Sequence, residues 1–312
     1  MSQRPDYYLF KSQEPCWICD DKDTVAVGNL SDHLTKERFD VAFCPLCQFY
    51  FLREPPNRTE IQRYYQSEAG LLMRRRPSAL VAQLQRLLYA LELKPLMQRL
   101  HRGASVIDIG AGDGSLVLYL QKCGFQVEAR DFYPAQHWDQ EQIPYRPIDF
   151  SSRSLEALKM HDGSPPDAII MRHVLEHLHD PLDVLKMCLR AGVRYLYLVV
   201  PNVHSIWARY FGPNWFYWDP PRHLSHFSMN SLSIIAMRAG FQLTFQRYYG
   251  IDEVITSLYR RRLLRSTQIC QRDLILRSLN PKGILASLSS SLSYAFFRTV
   301  CSVIFESARE SR

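Results

Sequence analysis

No apolar run follows the first charges of the chain. The opening MSQRPDYYLFKSQEP mixes charge with proline, which excludes a secretory signal there and makes cytoplasmic residence the expectation. A membrane-spanning stretch is missing too. Residues 284–305, the most apolar late segment, are interrupted by Arg298 and carry six serines, so any bilayer contact is expected to be peripheral. The absence of a long repeat argues against solenoids and propellers, and SLSSSLS (287–293) is the one low-complexity patch. Apolar residues are not scarce: 46% hydrophobic and 22% charged over 312 residues exclude disorder and collagen, and suit one sizeable core with a small second one. Acidic residues run short only at one end. Residues 247–312 hold 11 basic and five acidic side chains, six of the seven excess positive charges of the whole chain. Charge so confined predicts a local surface for something anionic, a membrane, a phosphate or RNA, rather than a nucleic-acid coat.

Eight cysteines in a reducing compartment do not predict four disulfides, and their spacing is uneven. Four of them form Cys16-Trp-Ile-Cys19 and Cys44-Pro-Leu-Cys47, a Cys-x2-Cys-x24-Cys-x2-Cys pattern. Two such knuckles complete a tetrahedral zinc site with no open position, so the expected metal is structural. It would hold together a module of residues 1–56 whose own core is small. Asp20 and Gln48 stand where zinc knuckles often place glycine. Four unligated thiols, or redox chemistry at one pair, are the alternatives.

Within that module short strands are expected at 39–43 and 49–52. Residues 57–102 read as a helical linker, with Leu80, Leu84, Leu87, Leu88 and Leu91 on one face and a basic break at Arg74–Arg76. From 103 to 250 apolar strands alternate with helices, the rhythm of an α/β doubly wound, mostly parallel sheet. Residues 251–312 form a basic, helical C-terminal region, with 302–307 as the candidate last strand. Its Arg260–Arg262, Arg265, Arg272 and Arg277 precede Leu285, Leu288, Leu292, Phe296 and Val303 at near-helical spacing. That pattern suits a membrane interface, or packing on its own domain or a second copy.

The segment Val106-Ile107-Asp108-Ile109-Gly110-Ala111-Gly112-Asp113-Gly114 runs from a strand straight into a helix. Glycines at such a turn let backbone approach a ligand at the strand ends. A dinucleotide fingerprint would place its third glycine where this chain has Ser115, which disfavours an oxidoreductase. Asp131 ends the second strand and is placed to accept ribose hydroxyls; Asp149, after the third, is placed to face an adenine. On these residues the chain resembles the class I S-adenosylmethionine-dependent methyltransferases, and the resemblance implies their Rossmann-like seven-stranded sheet. It continues through RHVLEHLHDPLDVL (172–185), which resembles a segment of ubiquinone-type and natural-product enzymes. VVPNVHSIWARYFGPNWFYWDPPRHLSHFS (199–228) is similar to bacterial enzymes of surface-polysaccharide and sugar modification. Several sugar C-methyltransferases also carry an N-terminal zinc module. The resemblance covers roughly residues 14–250 and departs at Arg130, where relatives more often have a small residue.

It implies a cofactor, S-adenosylmethionine, held by Asp108, Gly110, Gly112, Gly114, Asp131, Asp149 and Arg172, and an acceptor that is a sugar, glycan or lipid-linked small molecule. Methyl transfer needs a positioned acceptor and a base near neutral pH. By the same resemblance Glu176 and His177 are the first candidates and His223 the second, with His173 and His179 close by. The alternative is that these side chains brace the helix starting near Asp180-Pro181. Arg222 fits either an anionic acceptor or a buried ion pair. Six aromatics between Arg209 and Asp219 fit either a lid over the acceptor or a core cluster, and Gly212-Pro213 with Pro220-Pro221 favour a shaped loop over a helix. An RNA methyltransferase using the zinc module and C-terminal arginines, or a non-catalytic cofactor-binding scaffold, are the competing functions. The catalytic region lacks an Asn-Pro-Pro-Tyr-type motif, which makes nucleic acid the less expected partner.

Overall fold

The computed structural model describes residues 14–32, 34–65, 79–132, 135, 137–249 and 300–308. The basic run at Arg74–Arg76 and the arginines and apolar stripe expected between 251 and 299 lie outside them. Two sheets organise the described residues. The larger has seven strands in the order β10-β11-β8-β7-β4-β5-β6. They are β4 (Ser105–Ile109), β5 (Gln126–Asp131), β6 (Tyr145–Pro147), β7 (Ala168–Arg172), β8 (Tyr195–Pro201), β10 (Phe241–Tyr249) and β11 (Val300–Ser307). The central strands pair in parallel, and β11 lies antiparallel between β8 and β10. This is the expected Rossmann-like methyltransferase sheet, and its seventh strand contains the 302–307 segment that the sequence put forward.

Strands covered on both faces read as unbroken apolar runs, and every residue of β8, YLYLVVP, is buried. Side chains then alternate between layers. Ile107, Ile109, Ile169 and Met171 face α5 (Pro181–Arg190) and α7 (Met229–Arg238) through Val184, Leu185, Leu232 and Ile235. Val106, Ala168 and Ile170 face α2 (Ala79–Glu92), α3 (Lys94–Met97) and α4 (Ser115–Lys122) through Tyr89, Leu93, Leu96 and Val117. The face of α2 that touches the domain differs from the expected one. Leu87, Leu88 and Leu91 are 50–63% exposed among the described residues, and it is Tyr89 and Leu93 that are buried. Tyr89 packs on Tyr119 of α4 and under the Arg172 guanidinium, which turns the leucine stripe away from this layer. The side chains of Leu80 and Leu84 lie outside the described ones.

The smaller sheet is antiparallel, in the order β1-β2-β3-β9, with β1 (Val25–Ser31), β2 (Arg38–Cys44), β3 (Phe49–Leu52) and β9 (Ser225–His226). Its fourth strand comes from far along the chain. Cys16, Ile18, Phe49 and Phe51 belong to the same buried cluster as Ile109 and Leu175. The Cys-containing segment is therefore packed directly on the larger domain. After β3 a short helix, α1 (Gln62–Tyr65), delivers Tyr65 toward that domain. Among the described residues no helix is long and apolar enough to cross a membrane.

Candidate active site and cysteine centre

Strand order reverses beside β4, since β5 and β6 extend one way from it and β7 and β8 the other. Open α/β sheets bind ligands at such a point, beyond the carboxyl ends of the strands. Two loops meet there. The first follows β4, and its Gly110, Gly112 and Gly114 all have left-handed φ, +75°, +57° and +75°. A Cβ on Gly110 would lie 2.4 Å from Val174 Cγ2, and one on Gly114 would lie 2.5 Å from Ile143 Cδ1. These two positions need glycine for packing as well as conformation. At Gly112 a Cβ would meet only the Gly110 carbonyl, at 3.9 Å, so this face of the loop is open for a ligand.

Around the loop stand acids. Asp131 closes β5 and accepts the Gly112 N–H (3.1 Å). Asp108 is fully buried, and burial pushes its carboxyl up to about 7 while the Arg172 guanidinium pulls the other way and Asp131, Asp113 and Glu92 add repulsion. Such a concentration of negative charge suits a cationic ligand. Trp138 Nε1 is buried beside Gly114 without a hydrogen-bond partner, a donor that a bound ligand would satisfy. Open backbone, surplus carboxylates and a waiting donor fit S-adenosylmethionine, whose sulfonium and ammonium are cationic. Arg172 is tied to Glu92 by two hydrogen bonds, 2.7 and 3.1 Å. Asp149 is exposed and caps the turn at Phe150–Ser152, accepting the Ser151 N–H at 2.8 Å. Arg130 is fully buried, bonded to Glu128 at 2.9 Å and to the carbonyls of Ala157 and Lys159, which explains a large residue where relatives have a small one.

The second loop follows β7. His173 takes a left-handed φ of +54°, and a 3-10 turn then carries Leu175–His177. Because Val174 packs against Gly110, this loop lies directly against the glycine loop. Glu176, His177 and His223 come together with ligand-type atoms within 4.8 Å of one another. Glu176 is 1% exposed. Burial would raise its pKa, but the His173 ring at 3.3 Å and the charges of His173, His177 and His223 outweigh that and hold it down to about 2. His177 donates Nδ1–H to the Arg222 carbonyl (2.9 Å), with the Tyr65 hydroxyl 3.0 Å from the same nitrogen. His223 donates Nδ1–H to the Tyr217 carbonyl (2.7 Å), and burial, then the neighbouring His177, push its pKa down to about 4. His179 stands apart, bonded to the Pro56 carbonyl. Asp180 stands at the N-terminus of α5 without a side-chain cap hydrogen bond and pairs with Arg58 at 3.1 Å.

Arg222 proves to be the buried ion pair. Its guanidinium reaches Asp32 (2.7 Å) and Asp219 (2.6 Å), joining the small sheet to the turn that carries His223. Burial works against its charge, but the two carboxylates outweigh it and raise its pKa. The aromatic segment is a small core of its own, with Phe211, Trp215 and Tyr217 buried. Between Gly212-Pro213 and Pro220-Pro221 it is a loop of two 3-10 turns, while its first rings, Tyr210 and Phe211, end a helix, α6 (Ile206–Phe211), that Ser205 caps by accepting the Ala208 N–H. Tyr217 stacks on His173 at 5.7 Å and on His223 at 6.3 Å, and Trp218 packs on His226 at 4.5 Å. Tyr65, Asp32 and His226 were not singled out from sequence. Tyr65 lies 112 residues from its partner His177, and no local spacing announces such a contact.

The four cysteines converge within 4.8 Å of one another, with Cys16, Cys44 and Cys47 in the same buried cluster as Ile235. Cys16–Cys47 and Cys19–Cys44 are each 3.5 Å apart between Sγ atoms. That is too far for disulfides at about 2.05 Å and close to the spacing of four sulfurs about 2.3 Å from one ion. A hydrogen bond from Cys47 and backbone donors lower Cys16 to about 6 against the opposing effect of burial, while burial pushes Cys44 up to about 12 and the Cys16 thiolate pushes Cys47 up, so one thiolate is favoured and the other thiols would lose their protons to an arriving metal. Asp20 and Gln48 take φ of +61° and +60°, the conformation for which knuckles favour glycine. Asp20 is held there by Arg238 at 2.6 Å.

Fold and site together define a Rossmann-like α/β domain with an acid-lined glycine loop at its topological switch point. The family model described as a methyltransferase domain matches residues 74–246, more than half of the chain, and the protein belongs to that family. It is 30% identical to the ubiquinone biosynthesis O-methyltransferase of Xanthomonas campestris pv. campestris (strain B100) over 92 residues, 28% of this chain and 37% of that protein. The corresponding enzyme of Xanthomonas oryzae pv. oryzae (strain PXO99A) is 30% identical over 94 residues, 28% and 38% of the two chains. The chain thus spans well under half the length of the curated relatives it matches. Magnesium protoporphyrin IX methyltransferase from Synechocystis PCC 6803, solved with bound SAH, shares the fold with a TM-score of 0.50 at 14% identity, over 80% of this chain and 100% of that one.

Proposed function

We propose that the protein transfers the methyl group of S-adenosylmethionine to an oxygen or carbon of a sugar, glycan or lipid-linked small acceptor. The observation that carries this is the contact of Val174 with Gly110, which sets the Glu176–His177–His223 cluster against the glycine loop. The cofactor supplies a methyl on a sulfonium, whose displacement leaves a neutral thioether. Gly110, Gly112 and Gly114 bring backbone to it, Asp131 accepts its ribose hydroxyls, and Asp108 offers negative charge that Arg172 moderates. Asp149 lies at the end of β6, where the adenine is expected. The histidine cluster handles the acceptor's proton. As the acceptor's O–H or C–H bond breaks, its electron pair attacks the methyl carbon, the carbon–sulfur bond breaks, and that pair stays on sulfur. The Arg222 and Tyr217 carbonyls fix the tautomers of His177 and His223, so each ring presents Nε2 as its basic nitrogen. Tyr217, stacked on two of the rings, supplies the apolar wall against which a sugar or a lipid-linked group would sit. In this reading the four cysteines hold one structural zinc ion. The basic segment within 251–312 would meet an anionic or membrane-borne acceptor.

Incubation with methyl-labelled S-adenosylmethionine and a cell extract, followed by separation of lipid, glycan, RNA and protein, tests the proposal. Label in lipid or glycan is the expected result. Label confined to nuclease-sensitive material would replace it with an RNA methyltransferase, and failure to bind the cofactor would leave a scaffold. Asp131→Ala is expected to weaken cofactor binding by about 1–3 kcal/mol, through loss of hydrogen bonds to a charged group. Titration calorimetry reads this directly, and unchanged affinity would move the ribose elsewhere.

A further inference from the structure

We propose that Glu176, His177 and His223 form a second metal centre, holding one divalent transition-metal ion through a carboxylate oxygen and two imidazole nitrogens, with a position left for an acceptor oxygen. The three side chains already place ligand atoms within 4.8 Å of one another. An ion about 2 Å from each donor needs them roughly 3–4 Å apart, which small side-chain rotations reach.

Each ring is prepared in the way metal-binding histidines are. A main-chain carbonyl takes the Nδ1–H, Arg222 O for His177 and Tyr217 O for His223, which fixes the tautomer, orients the ring and leaves the lone pair on Nε2. Glu176 supplies the negative charge. Both its carboxylate oxygens are buried without a hydrogen-bond partner. Its ion-pair contact among the described residues is the His173 ring, with no lysine or arginine on it. A buried carboxylate ringed by imidazoles, with no hydrogen-bond partner on either oxygen, is a site that a cation completes.

Two imidazoles and one carboxylate suit zinc, cobalt, nickel, manganese or iron, whereas magnesium and calcium favour all-oxygen sites. The centre differs in kind from the four-thiolate site, which has no open position. Its role rests on the proposed methyl transfer and changes the part the rings play in it: with both Nε2 atoms on the ion, the ion would lower the pKa of an acceptor hydroxyl beside the cofactor and the proton would leave to solvent. The acceptor class that fits is one offering a hydroxyl, or a carbonyl next to an acidic carbon, as its metal-facing oxygen.

Titration of the metal-stripped full chain with Co2+ tests the centre without any acceptor. About two equivalents should bind, one giving the intense near-ultraviolet sulfur-to-metal absorption of a thiolate site and the other lacking it. Glu176→Gln and His223→Ala should each lose the second equivalent, keep the thiolate absorption that reports a folded module, and retain S-adenosylmethionine binding. A wild-type chain that binds only the thiolate equivalent would overturn the proposal, as would a second equivalent that persists in both variants. Should a variant fail to fold, the wild-type stoichiometry still decides. The two proposals fail separately: a second equivalent without methyl transfer sinks the function alone, and methyl transfer without the second equivalent sinks the metal centre alone.

Discussion

Arg222→Ala should lower the stability of the protein by about 3–5 kcal/mol, because it leaves the Asp32 carboxylate buried without its counter-charge. Asp32 is fully buried and Arg222 is 8% exposed, so water screens little of the pair. The side chain also joins three parts of the molecule: the loop after β1 through Asp32, the 219–223 turn through Asp219, and α1 through the Tyr64 carbonyl at 3.5 Å. The same turn provides the carbonyl that orients His177 and carries His223 itself. Loss of Arg222 should therefore abolish methyl transfer while cofactor binding survives in the folded fraction, since the glycine loop lies on the other side of Val174. Urea denaturation and cofactor titration of one preparation separate these effects. A midpoint within error of the wild type would show that the turn is held by other contacts. Asp32→Asn, which removes charge but keeps the Thr35 hydrogen bonds (2.8 and 2.9 Å), should cost less.

That Arg222 would be structural could not be read from its neighbours, and the reason generalises. Strands such as β4, β7 and β8 were legible because burial on both faces writes an unbroken apolar run into a few adjacent residues. The glycine loop was legible because three left-handed positions within five residues demand glycine. The last strand could be anticipated even beyond a long unaligned segment, because the sheet needs a partner between β8 and β10 and the 300–307 residues are β-forming. Other features leave no local trace. β9 is two residues long, and β1 contains a register shift at Ala26/Gly28 in a weakly apolar run. The leucine stripe of α2 announced an amphipathic helix but not which face meets the domain; Tyr89 and the Arg172–Glu92 pair decide that. In the site, Glu176, His177 and His223 were reached by resemblance, while Tyr65 and Asp32 required knowing that the Cys-containing sheet packs against the turn carrying Arg222.

The pH dependence of stability should fall rather than rise between acid and neutral conditions at one residue, Asp108. In the unfolded chain its carboxyl ionises near the ordinary 3.8, and in the folded chain burial moves it up to about 7. Between those values the unfolded state has lost the proton and the folded state keeps it. The unfolded chain therefore binds fewer protons, and this contribution to stability is fully present below pH 3.8 and lost as pH rises through 7. Its size is on the order of 4 kcal/mol at 1.36 kcal/mol per pKa unit. Asp108→Asn removes the ionisation, so the variant should be more stable than the wild type at pH 8, by up to about that amount, and little changed at pH 4. A sequence that keeps a destabilising acid in β4 beside the glycine loop keeps it for the ligand. A sulfonium and an ammonium arriving nearby favour the carboxylate, so cofactor binding at pH 7 should release a fraction of a proton, and affinity should climb from pH 5 to 7. Calorimetry in two buffers of different ionisation enthalpy measures that release. The variant should show weaker binding and no release, gaining stability and losing cofactor through the same missing charge. Equal proton release by wild type and variant would assign the linkage to another group and free Asp108 from the cofactor site.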